Sequence, residues 1–544
     1  MSTTIEGFVR FPPEFAERYR AAGLWRDKSL WDLFVESFEK FADRPAIVGP
    51  SGAIDYADLK WRSEDLAAAL AATGLRSLDR VVVQLPNVIE FVLVHLALQR
   101  LGVIPIMALP AHREREISHF IRVAGARAYI CKDATLAAIV EAQNNSLELV
   151  LSIEQLAALK GRHDLPTTAS FDPEEPAVLL LSGGTTGLPK LIPRTHNDYW
   201  YNSMAAGDIN DIRPTDALLA VLPLAHNFPL ACPGLQGFLQ RGARVVLSST
   251  TDCESNLALV QKEHITHLEL VPALLIRWMS DSSITRYDLS SIRVVNTGGH
   301  RLQPELKRRC EELLPSATVQ EVLGMAEGLL CFVRLDDPAE VRYETAGRPI
   351  SPLDEIRVVD ELEQNVPEGQ VGELLTRGPY TIRGYFRAPD HNATAFTLDG
   401  FYRTGDLVRL HPTGNVIVAG RKKDLINRGG EKISAEEVEN LIISHPAVLN
   451  VACIAVPDPV LGERMCACMI LRPGANVTLE DLTQFLLGKG MAKFKLPERL
   501  EVMSEFPTTR VGKISKQDLA HIVSSRDSCS CLRGERLNLP TSTP

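Results

Sequence analysis

The sequence predicts an α/β protein. It would have a large N-terminal domain of parallel α/β sheets, a small β-barrel-like subdomain, and a small α+β C-terminal domain. Strand-like and helix-like runs alternate from residue 30 to residue 175, which is the rhythm of parallel sheets covered by helices. From residue 354 to 420 the runs become short and are separated by Gly/Pro turns. With 544 residues, the chain is also too long for one ordinary core.

Local patterns place the individual elements. Residues 63–72 are rich in Ala and Leu, and residues 90–101 carry apolar side chains at helical spacing up to Gly102, so both segments predict helices. Apolar runs rich in β-branched residues predict strands at 80–85, 103–106, 177–180, 217–222, 243–247, 267–270 and 292–297. In the subdomain, strands are expected at 356–359, 372–375 and 416–418, as in a small antiparallel sheet or barrel.

Changes in composition set the expected domain boundaries. The N-terminal domain is expected to comprise residues 1–419, and a joint is expected at 420–424. The C-terminal domain should then occupy residues 425–522. Residues 523–544 are polar and are expected to form a disordered tail.

Composition excludes several classes of function. The net charge of -10 argues against a nucleic-acid binder, which usually presents a basic face. No run of about 18 apolar residues occurs, so no membrane span is expected, and the N-terminus lacks the pattern of a signal peptide. The ten cysteines are scattered, which favours reduced thiols in the cytoplasm. Cys466-x-Cys468 and Cys529-x-Cys531 raise the alternative of metal binding, but no nearby histidines support it.

A polar loop directly after the apolar run 177–180 is the most informative segment of the chain. Glycines allow backbone N–H groups to turn toward an anion, hydroxyls add donors, and a lysine adds positive charge. Such a loop suits a polyphosphate, with ATP as the obvious candidate, although it does not match the Walker pattern. Its candidate ligands are Ser182, Gly183, Gly184, Thr185, Thr186, Gly187 and Lys190.

Four further motifs follow in order. They are Gly324-Met325-Ala326-Glu327-Gly328, Tyr402-Arg403-Thr404-Gly405-Asp406, Gly420-Arg421-Lys422-Lys423-Asp424 and Gly512-Lys513. Together with the polar loop, this set resembles the adenylate-forming superfamily, which includes acyl-CoA synthetases, luciferases and peptide-synthetase adenylation domains. The resemblance spans roughly residues 30–520. It implies an enzyme that joins a carboxylic acid to the AMP part of ATP and releases pyrophosphate.

The resemblance also implies roles for individual residues in the N-terminal domain. The polar loop would wrap the β- and γ-phosphates of ATP, and Glu327 would bind Mg²⁺, which usually takes one or two carboxylates plus phosphate oxygens. Asp406 would accept hydrogen bonds from the ribose hydroxyls, and Arg421 would support the ribose or a phosphate. Further ATP contacts are expected from Gly298, Gly299, Gly324 and Met325.

In the C-terminal domain, the resemblance implies a moving part. Lys513 matches a mobile lysine that bridges the carboxylate and the α-phosphate during adenylation. The domain then swings about a hinge, which falls on Lys423, so that a second face admits a thiol. That thiolation face would include Gly429, Gly430 and Lys432, where the two glycines let the backbone approach a thin pantetheine arm.

The run that begins His226-Asn227-Phe228 narrows the resemblance to the stand-alone aryl-acid ligases of siderophore pathways, which activate 2-hydroxylated benzoates. His226 is expected to be catalytic, and Asn227 and Phe228 are expected to contact the aryl acid. Relatives that take 2,3-dihydroxybenzoate typically have serine in place of Cys232 and valine in place of Leu330. A thiol is a weaker hydrogen-bond partner than a hydroxyl, and leucine fills the volume of a 3-hydroxyl. Both differences favour salicylate.

The resulting prediction is an ATP- and Mg²⁺-dependent ligase that forms salicyl-adenylate. It would then transfer the aryl group to the phosphopantetheine thiol of an aryl carrier protein acting in trans. Three alternatives stay open: a 2,3-dihydroxybenzoate ligase, an aryl-CoA ligase, and a phosphotransferase or ATPase. The last would release ADP or phosphate instead of pyrophosphate. A non-catalytic nucleotide sensor is disfavoured because Lys513 and the joint would have no purpose.

Overall fold

The computed structural model describes residues 5–159, 172–182, 188–509 and 512–533. Within these ranges the helices are α1 (Pro13–Ala21), α2 (Leu30–Lys40), α3 (Tyr56–Ala72), α4 (Ile89–Leu101), α5 (Glu114–Ala124), α6 (Ala134–Gln143), α7 (Ile153–Ala158), α8 (His196–Ile209), α9 (Asn227–Ala231), α10 (Gly234–Leu239), α11 (Cys253–Glu263), α12 (Pro272–Met279), α13 (Pro304–Leu313), α14 (Ala339–Glu344), α15 (Pro389–Ala395), α16 (Ala435–Ile442), α17 (Leu479–Gly488) and α18 (Lys516–Arg533). Short 3₁₀ turns occupy Ser282–Thr285, Lys422–Asp424 and Lys493–Lys495.

The strands alternate with these helices. They are β1 (Pro45–Gly49), β2 (Gly52–Asp55), β3 (Arg80–Gln84), β4 (Ile104–Met107), β5 (Ala128–Cys131), β6 (Leu149–Ser152), β7 (Pro176–Leu181), β8 (Leu191–Thr195), β9 (Ala217–Ala220), β10 (Arg244–Leu247), β11 (His267–Leu270), β12 (Val294–Gly298), β13 (Thr318–Met325), β14 (Gly328–Phe332), β15 (Arg348–Pro349), β16 (Glu355–Val359), β17 (Gly372–Arg377), β18 (Tyr402–Leu410), β19 (Val416–Arg421), β20 (Leu425–Arg428), β21 (Glu431–Ser434), β22 (Val448–Asp458), β23 (Gly462–Leu471) and β24 (Arg499–Val502).

The chain divides into two compact units. The first comprises residues 1–370, 374–404 and 410–417, and the second comprises residues 371–373, 405–409 and 418–544. A four-stranded sheet of order β16-β17-β18-β19 lies in the region where short strands were predicted.

Two large sheets organise the first unit. One has the strand order β15-β14-β13-β12-β11-β9-β10-β1-β2 and the other β6-β5-β3-β4-β7-β8. All neighbours from β1 through β10, β9, β11 and β12 to β13 are parallel, as are all neighbours from β6 through β5, β3 and β4 to β7. Strands of such sheets are buried on both faces and are therefore almost continuously apolar. Residues 81–83 of β3 are an example, since all three valines are buried. The predicted α/β class with parallel sheets is confirmed.

The second unit is built around a smaller, mostly antiparallel sheet. Its order is β21-β20-β23-β22, and β24 pairs in parallel with β23. Helix α18 packs on it through the buried Leu519 and Val523. The helix continues to Arg533, so residues 524–533 are helical and not the disordered segment that the sequence predicted. No glycine or proline interrupts residues 516–533, which explains why the helix extends beyond its buried contacts.

In the described part of the chain, no helix is both long and apolar enough to cross a membrane. The eight cysteines whose side chains are described are all buried and free of disulfides. Cys466 and Cys468 lie in β23 with their sulfurs 3.9 Å apart. Cys529 and Cys531 lie on the last turns of α18, where side chains are not described.

Candidate active site

The ends of the polar loop are fixed by two reciprocal hydrogen bonds. The Ser182 N–H donates to the Lys190 carbonyl, and the Lys190 N–H donates to Ser182 Oγ, both at 2.9 Å. Ser182 follows the buried strand β7, as predicted from the apolar run. The other predicted loop ligands (Gly183, Gly184, Thr185, Thr186 and Gly187) lie outside the described residues.

Lys190 and Glu327 both lie close to one tyrosine, Tyr385. The Tyr385 hydroxyl donates to Glu327 Oε1 at 2.7 Å, and Lys190 Nζ lies 5.8 Å from the centre of the Tyr385 ring. A second hydrogen bond of 2.9 Å joins the hydroxyls of Tyr385 and Tyr402. Burial raises the pKa of Tyr385, so its hydroxyl keeps its proton and remains a donor to the carboxylate. The predicted phosphate-binding cation and the predicted Mg²⁺ ligand are thus held close together.

The turn that carries Glu327 depends on glycines. Gly328 has φ +154°, and a Cβ there would lie 2.5 Å from Thr381 Cα. A Cβ on Gly324 would lie 2.6 Å from Leu330 Cδ2, so this glycine lets the β13–β14 hairpin accept the leucine. The Ile382 N–H donates to the Glu327 carbonyl at 2.8 Å, which fixes the turn from the other side.

The donors around Glu327 fit Mg²⁺. One carboxylate beside a bound triphosphate is an ordinary donor set for this ion, because phosphate oxygens and water supply the remaining ligands. In the described ranges, no cluster of three or more His, Cys, Asp or Glu side chains could hold a metal alone. A metal at Glu327 would therefore be bound jointly with the nucleotide.

Two of the predicted aryl-acid residues, Asn227 and Cys232, form a hydrogen-bonded group with Tyr199 of α8. The Tyr199 hydroxyl donates to Asn227 Oδ1 at 2.9 Å, and Asn227 Nδ2 donates to Cys232 Sγ at 3.2 Å. Asn227 is 6% exposed and Cys232 is 2% exposed. Burial raises the pKa of the Cys232 thiol to about 12, so it stays neutral. The His226 ring accepts from the Phe228 N–H at 3.3 Å and thereby caps α9.

Arg194 connects this group to the Glu327 turn. Its guanidinium donates to Asp198 Oδ1 at 2.8 Å, to Asn202 Oδ1 at 3.2 Å and to the Ala326 carbonyl at 3.1 Å. Asn202 in turn donates to the Ala231 carbonyl at 2.7 Å and approaches Cys232 Sγ at 3.8 Å. The Arg194 side chain is completely buried. The Asp198 carboxylate accepts hydrogen bonds from Arg194 and from both the N–H and the hydroxyl of Thr195.

A buried carboxyl group supports the turn after Cys232. Glu269 Oε1 accepts from the Gly234 N–H at 2.9 Å. Burial raises the pKa of Glu269 to about 8, so this group is mostly uncharged at neutral pH. Gly234 has φ +52°, and a Cβ there would lie 2.3 Å from the Pro229 carbonyl oxygen, so only glycine fits.

Strand register places Leu330 and two predicted glycines on the same sheet face as Glu269. Glu269 pairs with Asn296, and Asn296 pairs with Gln320. Side chains two residues apart on a strand point to the same face, so Gly298 of β12 shares the face of Asn296, and Val322 and Gly324 of β13 share the face of Gln320. Gly324 pairs with Leu330 on β14, which places Leu330 on this face too. Met325 follows Gly324 at the register shift, and Gly299 follows β12 with φ +86°.

The predicted nucleotide and hinge residues of the second unit also form a cluster. Arg421 Nε lies 2.7 Å from Asp406 Oδ1, whose side chain is 4% exposed. Burial raises the pKa of Asp406, and the nearby cations Arg421, Lys513 and Lys423 oppose this rise. Lys423 lies in the 3₁₀ turn between β19 and β20, where burial and Arg421 lower its pKa.

The predicted thiolation residues lie on the β20–β21 hairpin. Gly429 and Gly430 form its turn with φ of +58° and +96°, and Lys432 follows on β21. Arg428 at the end of β20 donates to Glu498 at 2.7 Å. Both glycines thus have backbone conformations that other residues rarely adopt.

Sequence reasoning missed Arg194, Asp198, Tyr199, Asn202 and Glu269. Arg194, Asp198 and Asn202 recur every four residues from the end of β8 into α8, which is the spacing of one helix face. That regular repeat of polar residues was the available signal. Glu269 gave no comparable signal, because a single acidic residue in a short strand carries no periodicity.

The two-unit α/β fold with these clusters has the architecture of adenylate-forming enzymes. The sequence profile described as "AMP-binding enzyme" matches residues 34–386, and the profile "AMP-binding enzyme C-terminal domain" matches residues 437–513. The chain therefore belongs to the AMP-binding enzyme family.

Individual relatives agree with this assignment. A "Salicylyl-CoA synthase / salicylate adenylyltransferase" from Streptomyces sp is 46% identical, with 96% of this chain and 99% of that protein covered. A "2,3-dihydroxybenzoate-AMP ligase" from Bacillus subtilis is 44% identical, with coverages of 96% and 98%. The solved apo structure of MbtA from Mycobacterium smegmatis shares 40% identity and a TM-score of 0.74, with 96% of this chain and 100% of that chain covered. The chain is an ATP-dependent aryl-acid adenylating ligase.

Proposed function

We propose that the chain is a salicylate-AMP ligase. The observation that carries the proposal is the buried, neutral Tyr199–Asn227–Cys232 group. An amino-acid-activating relative usually keeps an aspartate near this point to hold an ammonium group. Here the nearby carboxyl groups are unsuited to that task, since Asp198 is bound to Arg194 and Glu269 is mostly protonated at neutral pH. A neutral aryl ring with a 2-hydroxyl suits such a pocket.

The first half-reaction joins the salicylate carboxylate to the α-phosphorus of ATP, and pyrophosphate leaves. Like charges meet in this step, so the enzyme must supply positive charge and hold the attack in line. Lys190 and the polar loop would hold the β- and γ-phosphates, and Lys513 would bridge the carboxylate and the α-phosphate. Mg²⁺ held by Glu327 would neutralise charge on the phosphates. Asp406 would hold the ribose, with Arg421 beside it.

Two residues support salicylate over 2,3-dihydroxybenzoate, the main rival. The Cys232 sulfur is approached by the amide donors of Asn227 and Asn202, and it is a weak partner for a 3-hydroxyl. Leu330 is 1% exposed and fills space on the sheet face that also carries Glu269.

The resemblance supports the phosphopantetheine thiol of an aryl carrier protein as the acceptor in the second half-reaction, within siderophore biosynthesis. CoA is the second candidate acceptor, because the name of the Streptomyces relative includes it.

The decisive experiment is ATP–pyrophosphate exchange with a panel of benzoates. Salicylate should give the highest kcat/KM, followed by 2,3-dihydroxybenzoate and then benzoate. Release of ADP or phosphate, or a clear preference for 2,3-dihydroxybenzoate, would contradict the assignment. Incubation of enzyme, ATP and salicylate with CoA or with a phosphopantetheinylated aryl carrier protein, followed by mass spectrometry, distinguishes the two acceptors.

A further inference from the structure

The buried hydrogen bond between Tyr199 and Asn227 has a direction, and that direction determines what the pocket offers a substrate. In the described structure, the Tyr199 hydroxyl has Asn227 Oδ1 as its only polar partner, at 2.9 Å. Burial raises the pKa of Tyr199, so the hydroxyl keeps its proton and donates it. The amide oxygen of Asn227 is therefore occupied. One of the two Nδ2 hydrogens is directed toward Cys232 Sγ at 3.2 Å, and the second hydrogen is left to donate to a ligand.

The opposite orientation of the amide is unfavourable. It would leave the hydroxyl hydrogen of Tyr199 buried without an acceptor and would require the weak thiol donor of Cys232 to serve the amide oxygen. The tyrosine ring cannot move aside to avoid this, because the Arg194 guanidinium lies 4.8 Å from its centre and is itself bound to Asp198. Tyr199 thus holds the amide in one orientation.

We propose that Tyr199 is a positioning residue that makes the aryl-acid pocket a hydrogen-bond donor, so that the enzyme selects acids with an acceptor oxygen ortho to the carboxylate. This inference rests on the proposed function and concerns the same site. In salicylate the 2-hydroxyl proton is shared with the neighbouring carboxylate, so the oxygen presents lone pairs outward. In 2-aminobenzoate one N–H also points to the carboxylate, but the other points outward as a donor. The Asn227 donor therefore favours the first acid and opposes the second.

The test measures kcat/KM for salicylate and 2-aminobenzoate by ATP–pyrophosphate exchange. Tyr199→Phe keeps the ring but frees the amide to turn, so the salicylate to 2-aminobenzoate ratio should fall about five- to tenfold. Tyr201→Phe is the matched control. Tyr201 lies two residues after Tyr199 on the same helix, and its hydroxyl donates to Ser351 at 2.8 Å. Loss of this hydroxyl should leave the salicylate to 2-aminobenzoate ratio unchanged. A merely structural role for Tyr199 would lower kcat/KM for both acids equally, and that result overturns the proposal.

Two further tests use Asn227, and the first of them does not depend on how well Tyr199→Phe folds. Asn227→Asp keeps an acceptor for the Tyr199 hydroxyl but has no donor to offer, so the ratio should fall here too, and an unchanged ratio overturns the proposal. In an Asn227→Ala background, Tyr199→Phe should have no further effect on the ratio, and a persistent effect also overturns it. If the unmodified enzyme adenylates none of the benzoates, the proposed function itself fails. If it is active and only the ratios do not move, the positioning role alone fails.

Discussion

Arg421 Nε lies 2.7 Å from Asp406 Oδ1, and this ion pair joins the predicted ribose-binding motif to the segment that precedes the Lys422–Asp424 turn. The carboxylate is almost completely buried, whereas about half of the arginine side chain is exposed. Lys513 and Lys423 also act on the Asp406 charge and lower its pKa against the effect of burial. Three cations that the sequence singled out thus act on the charge of one carboxylate within the second unit.

Replacing Lys513 by alanine should nearly abolish adenylation. The step brings a carboxylate to a triphosphate, and the proposal gives Lys513 the task of offsetting that repulsion. ATP–pyrophosphate exchange should fall by orders of magnitude, while thiol loading from supplied salicyl-adenylate should continue. Lys493→Ala, an exposed lysine of the same unit, is the control and should keep full exchange. Unchanged exchange in Lys513→Ala would remove the lysine from the mechanism.

Proline at Lys423 should separate the two half-reactions. Lys423 lies in the 3₁₀ turn between β19 and β20, and the resemblance makes it the hinge. Proline fixes φ and resists the torsional change of a hinge, so adenylation should continue while carrier loading slows. Lys423→Ala removes the charge without restricting the backbone and should load normally. If the proline variant loses both half-reactions equally, or neither, the pivot lies elsewhere.

The fold was predictable because its signals are local. The β-branched run at 80–85 and the helical run at 90–101 correspond to β3 (Arg80–Gln84) and α4 (Ile89–Leu101). The ends of strands were less well predicted, since β12 begins at Val294, whereas the pattern indicated 292. The apolar Ile292 donates its backbone N–H to the Leu289 carbonyl of the preceding turn, so an apolar residue alone does not mark where the strand begins.

The candidate site was predictable only where a motif carries it. Glu327, Asn227 and Asp406 were found through resemblance, whereas Tyr199 and Glu269 were not. Their significance depends on contacts between distant segments: Tyr199 reaches Asn227 across 28 positions, and Glu269 reaches Gly234 across 35. Contacts of this kind arise from the packing of α8 against α9 and of α10 against β11, which no periodicity in a single segment encodes.

Glu269→Gln should change how stability depends on pH. Burial raises the pKa of Glu269 from 4.5 to about 8. Between these two pH values the unfolded chain has lost a proton that the folded chain keeps, so the stability of the unmodified protein falls as the pH rises through this window. Glutamine keeps an acceptor for the Gly234 N–H but does not titrate. Relative to the unmodified protein, the variant should gain on the order of 3–5 kcal/mol between pH 5 and pH 9.

Urea unfolding at pH 5, 7 and 9 checks this expectation. Glu463→Gln serves as a control, since this partly exposed glutamate of the second unit accepts a hydrogen bond from the Asn427 N–H at 2.7 Å. Its stability should follow that of the unmodified protein at every pH. Parallel pH curves for Glu269→Gln and the unmodified protein would mean that Glu269 is ionised in the folded state.

Exchanging Cys232 and Leu330 for serine and valine should shift the preference toward 2,3-dihydroxybenzoate. The Cys232 sulfur already accepts from Asn227 at 3.2 Å, and a serine hydroxyl there could accept the same bond and offer its own proton to the 3-hydroxyl. Leu330 lies against Gly324, and valine would free the space of one methylene on that sheet face. In the double variant, the ratio of kcat/KM for 2,3-dihydroxybenzoate to that for salicylate should rise. The rise should correspond to a change of about 1–3 kcal/mol in the difference between the two activation free energies. Each single variant should show part of this change, and the two parts should not add if both residues contact the same hydroxyl. An unchanged ratio would show that Cys232 and Leu330 only fill the core. The Asn227 donor, which would contact the 2-hydroxyl common to both acids, would then be the one recognised determinant of specificity.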